Sequence, residues 1–201
     1  MKSPFDVIDK VYLINLPERT DRLMDSMYEI EKVGLKNRVE VVEGVKKGNA
    51  GLIETMISIF EQSNETILIL EDDIRFVNNP VKTFKIAYEQ VRLQDWDLLY
   101  LGASIRQPLV KRYPNWFRLV YGMTTHAVIY NKKIIPSVLK LFKTFKNKPA
   151  ISDRLLATWI QPYYSCLLID PMIAVQRPSH SNIQDMATNY DIEKQFRKIQ
   201  K

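Results

Sequence analysis

The sequence predicts an α/β protein built on a parallel sheet. Apolar runs of strand length alternate with amphipathic stretches of helix length, the order expected of α/β units. One strand, Thr66-Ile-Leu-Ile-Leu70, runs straight into Glu71, Asp72 and Asp73. An apolar run of that length reads as a buried parallel strand, and open α/β sheets collect ligands at the carboxyl ends of such strands. Three neighbouring acids there repel one another and lose solvation. A divalent cation removes both problems, and hard oxygen ligands suit magnesium or manganese. The same residues would also make a solvated acidic turn.

The other elements follow along the chain. Val11 to Leu16 reads as the first strand, broken at Pro17. Thr20 is placed to cap a helix to about Val33, with Leu23, Met27 and Ile30 on its inner face and Gly34 as its stop. Arg19 and Arg22 then stand at the strand's carboxyl end, either solvated or meeting a phosphate beside helix amides. Val39 to Val42 is a short second strand. Glycines between Glu43 and Gly51 let backbone approach a ligand closely, although no phosphate-loop or Gly-x-Gly-x-x-Gly pattern is present. Leu52 to Gln62 carries Ile53, Met56, Ile57 and Phe60 at helical spacing. Pro80 starts a helix with Val81, Phe84, Ala87, Tyr88 and Val91 inward.

Trp96 to Gly102 reads as a fourth strand, Ala103 to Trp116 as a loop or flap, and Phe117 to Tyr121 and Met123 to Tyr130 as strands. Pro136 to Lys146 is an amphipathic helix with Lys140, Lys143 and Lys146 outward. Ser152 is placed to cap a helix carrying Asp153, Leu156 and Trp159. Tyr163 to Ile169 is a last strand, Pro171 to Ile183 is extended and polar, and Ile192 to Gln200 is a short closing helix.

A length of 201 residues with 46% apolar content fits one domain with a sizeable core. A single cysteine, Cys166, in an apolar run excludes an internal disulfide framework and a cysteine zinc site. No apolar run reaches membrane-span length and the N-terminus lacks a signal-peptide core, so a cytoplasmic location is expected. The net charge is +6, unevenly spread: Leu98 to Ser152 holds ten cations and no Asp or Glu. Such a stretch draws anionic lipid, a phosphorylated ligand or nucleic acid, or is a solvated lysine-rich face. Its Tyr113, Trp116, Phe117 and Tyr121 would suit base stacking in a nucleic-acid-binding protein.

Five blocks in register resemble glycosyltransferase family 25, which includes lipopolysaccharide and procollagen galactosyltransferases: Val11 to Arg22, Leu68 to Asp73, Trp96 to Gly102, Thr124 to Tyr130, and Pro171 to Ile183. One block departs. Where the family has Gly-Glu-Ile-Gly-Cys-x-x-Ser-His, this chain reads Gly48-Asn-Ala-Gly-Leu-Ile-Glu-Thr-Met56, so any role of that histidine does not transfer. The resemblance implies a GT-A-like, Rossmann-like fold with a mixed, mostly parallel sheet. It implies a single domain, with a donor-binding half at about 1–102, an acceptor half at about 103–184 and a tail at 185–201. It further implies transfer of a hexose, galactose or glucose, from a UDP-sugar to a hydroxyl of a glycan or glycoprotein, with inversion.

On that resemblance Glu71-Asp-Asp73 is the family's variant of the Asp-x-Asp motif, with Glu71, Asp73 and His180 as ligands to manganese or magnesium. Asn15, Leu16, Arg19, Arg22, Glu43, Asp72 and Asp73 are expected around the nucleotide, and His126 at the sugar or acceptor. Inversion needs a general base for the acceptor proton. Asp153 is the candidate and is also placed as a helix-start acid favoured by the dipole; Asp97 is its rival. A catalytically inactive sugar-nucleotide-binding protein on the same fold remains open beside the transferase.

Overall fold

The structure, a computed structural model, describes residues 4–181 and 186–188, with backbone alone for 179–181 and 186–188. In chain order the elements are β1 (Lys10–Asn15), α1 (Thr20–Lys32), β2 (Val39–Glu43), α2 (Gly48–Gln62), β3 (Ile67–Glu71), β4 (Ile74–Phe76) and α3 (Pro80–Val91). Then come β5 (Leu98–Tyr100), β6 (Ser104–Ile105), β7 (Val110–Tyr113), β8 (Trp116–Arg118), β9 (Gly122–Met123) and β10 (Ala127–Tyr130). The chain continues through α4 (Ile135–Phe145), α5 (Ser152–Trp159), β11 (Cys166–Ile169), β12 (Ala174–Gln176), β13 (Ser179–Ser181) and β14 (Met186–Thr188).

The main sheet has eight strands in the order β2-β1-β3-β10-β5-β11-β8-β7. Strands β2, β1, β3, β5, β11 and β7 point one way, while β10 and β8 run against them. The sheet is therefore mixed but mostly parallel in direction, as expected. β10 lies between β3 and β5, so the proposed donor and acceptor halves share one sheet.

Both faces are covered, and the period-2 alternation of strands assigns each residue to a face. Ile67 and Ile69 of β3 join Phe60, Phe142 and Leu156 in the core under α2, α4 and α5. Leu68 and Leu70 join Ile30, Phe84 and Val91 under α1 and α3. The same alternation continued past Leu70 turns Glu71 toward the α5 side and Asp72 toward α1, so the acidic run is split between two layers.

Several boundaries differ from the sequence expectations. Neither Thr20 nor Ser152 caps its helix: the caps are Arg19 and Ile151, with no side-chain capping bond at either. α2 begins four residues early, inside the glycine-rich stretch. There a Cβ on Gly51 would lie 1.8 Å from the Val45 carbonyl oxygen, so this glycine admits the chain's own backbone rather than a ligand. Thr55 ties the same turn, accepting from the Val45 amide at 3.0 Å and donating to the Gly51 carbonyl at 2.9 Å. The stretch expected as a flap instead contains β6 and β7, because β9 and β8 supply edges to pair with. Met123 to Tyr130 is two strands, broken where Thr124 adopts φ 70°. The expected helix at 192–200 lies outside the described residues.

Cys166 is buried, and burial pushes its thiol well up, which keeps it inert. Among the described residues no helix is long and apolar enough to cross a membrane.

Candidate active site at the carboxyl edge of the sheet

The parallel strands β1, β2 and β3 end together. Asn15 pairs in register with Glu43, and Ile14 with Glu71, so the three carboxyl ends form one edge. Beyond it the chain turns through Asp72 and Asp73 into β4, which pairs with β12.

The three acids meet different fates. Glu71 accepts a hydrogen bond from the Thr125 hydroxyl at 2.8 Å. Burial, and then the charge of Asp73, push its carboxyl well above the usual carboxylate range, with Asp153 adding to the effect. Asp72 faces α1 and is paired with Arg22 at 2.7 Å, both side chains nearly buried. Asp73 accepts from the Gln176 amide at 3.2 Å, and burial followed by the charge of Asp72 raises its carboxyl too. Glu71 and Asp73 are thus both held toward the protonated form by desolvation and by a neighbouring carboxylate, which makes a site short of positive charge.

Asp153 comes to this edge from the other half of the chain. The first turn of α5 lies on the Glu71 side of the sheet, and Asp153 Oδ2 accepts from the Thr124 amide at 3.0 Å. It therefore holds β9's end rather than capping its own helix. Gln161 fixes the start of β9: it accepts from the Gly122 amide at 2.7 Å, and its Nε2 donates to the Gly122 carbonyl and the Tyr100 hydroxyl at 2.9 Å.

Four buried side-chain oxygens around this edge, Asn15 Oδ1, Asp73 Oδ1, Asp153 Oδ1 and Gln176 Oε1, have no hydrogen-bond donor among the described residues. A buried acceptor left unsatisfied costs about 1–3 kcal/mol. Hard oxygens lacking donors, beside carboxyls lacking positive charge, fit a divalent cation. Among the described residues no three Asp, Glu, His or Cys side chains close on one point as a complete metal cage.

The remaining expected residues are placed as follows. Leu16, half-buried, packs near Gly44, and Glu43 stands exposed at the end of β2. Arg19 donates to both oxygens of Asp21 at 3.0 Å, so Arg19 and Arg22 each reach the edge already matched to a carboxylate. His126, expected at the sugar or acceptor, is instead completely buried behind the site. Its Nε2 donates to the Ala174 carbonyl and its Nδ1 accepts from the Thr124 hydroxyl, both at 3.2 Å. Asp97 is at the opposite end of β5, accepting from the Ser165 amide at 2.7 Å and pairing with Lys133 at 3.3 Å, a structural role. The side chain of His180 lies outside the described residues; its backbone is in β13.

Sequence reasoning missed Thr125, Gln176, Ser26 and Arg177. Ser26 donates to the Asp72 carbonyl at 2.8 Å, while Arg177 donates to Ser26 Oγ at 3.0 Å and pairs with Asp25. The two hydrogen-bonded pairs are 46 and 151 residues apart along the chain, so no local pattern announces them.

A GT-A-like α/β fold with acids at the carboxyl edge of its sheet defines the class. The comparisons agree with that class. The chain is 24% identical, over 91% of its length, to "Probable inactive glycosyltransferase 25 family member 3" of Bos taurus, and it spans about a third of that relative, 33%. The family-25 resemblance read from the five sequence blocks is thus matched by a named member of that family. The fold is shared with a glycosyltransferase involved in glycosylation of the major capsid of PBCV-1 (TM-score 0.58, 11% identity, 94% of this chain and 98% of that one). It is shared also with the inositol-1-phosphate CTP transferase of T. maritima (TM-score 0.51, 13% identity, 97% of each chain). No protein-family model matches the chain.

Proposed function

We propose that this chain is a metal-dependent glycosyltransferase that moves a hexose, galactose or glucose, from a UDP-sugar to a hydroxyl of a glycan or glycoprotein, with inversion. One observation carries the reading: Glu71, Asp73 and Asp153, from both halves of the chain, converge on one edge, where burial raises the carboxyl pKa values of Glu71 and Asp73 and where Oδ1 of Asp73 and of Asp153 has no donor among the described residues.

A nucleoside diphosphate leaves with developing negative charge, which must be stabilised. Asp73, with Glu71 beside it, would hold manganese or magnesium there, and the bound ion supplies Lewis-acid stabilisation of the departing diphosphate. Such ions are commonly held by one or two carboxylates together with substrate phosphates, so no complete protein cage is required. Asn15, Leu16 and Glu43 line the edge where the base and ribose would lie. Arg19 and Arg22 stand at the first turn of α1, near the phosphates. Asp153 takes the acceptor proton.

Of the cations in the acid-free stretch, Lys111 is paired with Asp170, Lys133 with Asp95 and Asp97, and Lys143 with Glu61. That pairing weakens the case for a nucleic-acid surface. The name of the bovine relative favours one further reading, a protein that binds a sugar nucleotide without turnover. A panel of nucleotide sugars with manganese chloride, read as released UDP, separates the two. Hydrolysis or transfer supports the enzyme; binding with no release under any donor supports the inactive protein.

A further inference from the structure

We infer that Gln176 is itself a ligand to the cation, giving its side-chain carbonyl oxygen beside Asp73. The inference rests on the cation-binding reading above.

The amide of Gln176 has two ends. Nε2 donates to Asp73 Oδ2 at 3.2 Å, which fixes the orientation, because turning the amide over would set its oxygen against a carboxylate oxygen. The other end, Oε1, is buried and receives no hydrogen bond among the described residues; the same holds for Oδ1 of Asp73. One hydrogen bond thus joins two side chains whose remaining oxygens are both buried and both without a donor. Two such buried acceptors are unfavourable unless positive charge is supplied.

The chemistry favours an amide here. Three carboxylates, Glu71, Asp72 and Asp73, already follow one another in the chain here, and a fourth would add repulsion. An amide carbonyl is an accepted hard ligand for such ions and carries no net charge.

The backbone holds Gln176 in place before any ion arrives. Its neighbour Arg177 donates its backbone N–H to the Asp73 carbonyl at 2.7 Å, and its guanidinium is held by Ser26 and Asp25. On the other side Ala174 donates to the Leu101 carbonyl at 3.0 Å and accepts from His126. Strand β12 is therefore fixed at both ends, the condition for a ligand that loses little entropy on binding.

The test compares Gln176→Leu, Gln176→Glu and Asp73→Asn with wild type. Manganese binding is measured by electron paramagnetic resonance of free Mn(II), with manganese chloride alone and with added UDP, and melting temperature is recorded with and without manganese. A ligand role and a role as mere hydrogen-bond donor to Asp73 predict opposite results for Gln176→Glu, which keeps an oxygen and loses the donor. As a ligand, Gln176→Glu binds manganese at least as well as wild type and gains more melting temperature from it, while Gln176→Leu binds about tenfold more weakly. Weaker binding in both variants, or wild-type binding in Gln176→Leu while Asp73→Asn loses it, overturns the role of Gln176 and leaves the cation reading standing. If wild type takes up no manganese with or without UDP, the cation reading fails and this inference with it.

Discussion

His126 and Ala174 are joined ring to backbone at 3.2 Å, and since a carbonyl only accepts, the proton of the ring sits on Nε2. With Nδ1 accepting from Thr124, the imidazole is neutral. It links the turn before β10 to β12, and so to the strand that carries Gln176. Full burial pushes its pKa down to about 4 from 6.5.

That lowered pKa gives a pH dependence of known sign. The unfolded chain binds a proton near pH 6.5, while the folded one resists until about 4, so the contribution is complete above 6.5 and lost as pH falls toward 4. The loss amounts to roughly 3 kcal/mol at the bottom of that window. Urea denaturation of wild type and His126→Gln across this range checks it. The variant should lose distinctly less stability on acidification; parallel curves would mean that His126 does not titrate as its burial demands.

Gly102 lies against the same contact. A Cβ there would stand 2.0 Å from the Ala174 carbonyl oxygen and 2.8 Å from His126 Nε2. Gly102→Ala must therefore push β12 away from β5. Overpacking of this kind costs about 1–3 kcal/mol. Manganese-dependent UDP binding should weaken with it, because Gln176 and the backbone of Arg177 move together. A variant with wild-type melting temperature and wild-type UDP binding would show that the edge tolerates the shift.

The sequence carried the fold further than it carried the site. Strands such as Ile67 to Leu70 are buried on both faces, and that leaves a continuous apolar run that is visible without a structure. Helices α1 and α4 show their inward faces by period alone. Short strands were harder. β6 and β9 are two residues each, and they exist because each is the other's partner, not because either sequence favours extension. At the site, Glu71, Asp73 and Asp153 were legible as acids ending strands or opening a helix. Thr125, Gln176 and Arg177 were not, since ordinary polar residues acquire meaning only from partners far along the chain. His126 was misplaced for a related reason: a histidine next to a strand looks the same in sequence whether it faces the cleft or the core.

Asp153 offers a clean separation of binding from turnover. It touches the Thr124 amide and the acidic edge, but the nucleotide is expected on the β1–β3 side. Asp153→Asn should keep UDP affinity near wild type and lower transfer by about two to four orders of magnitude, the usual contribution of a general base. Transfer near wild type in the folded variant would return Asp153 to a structural part, holding the end of β9.

The central claim is that Asp73 binds the donor through a divalent cation, and calorimetric titration of UDP into wild type and Asp73→Asn tests it most directly. With excess manganese the wild type should bind UDP, chelation should abolish that binding, and Asp73→Asn should not recover it at any manganese concentration. UDP binding that is equally tight after chelation, or unchanged in a folded Asp73→Asn variant, would contradict the account.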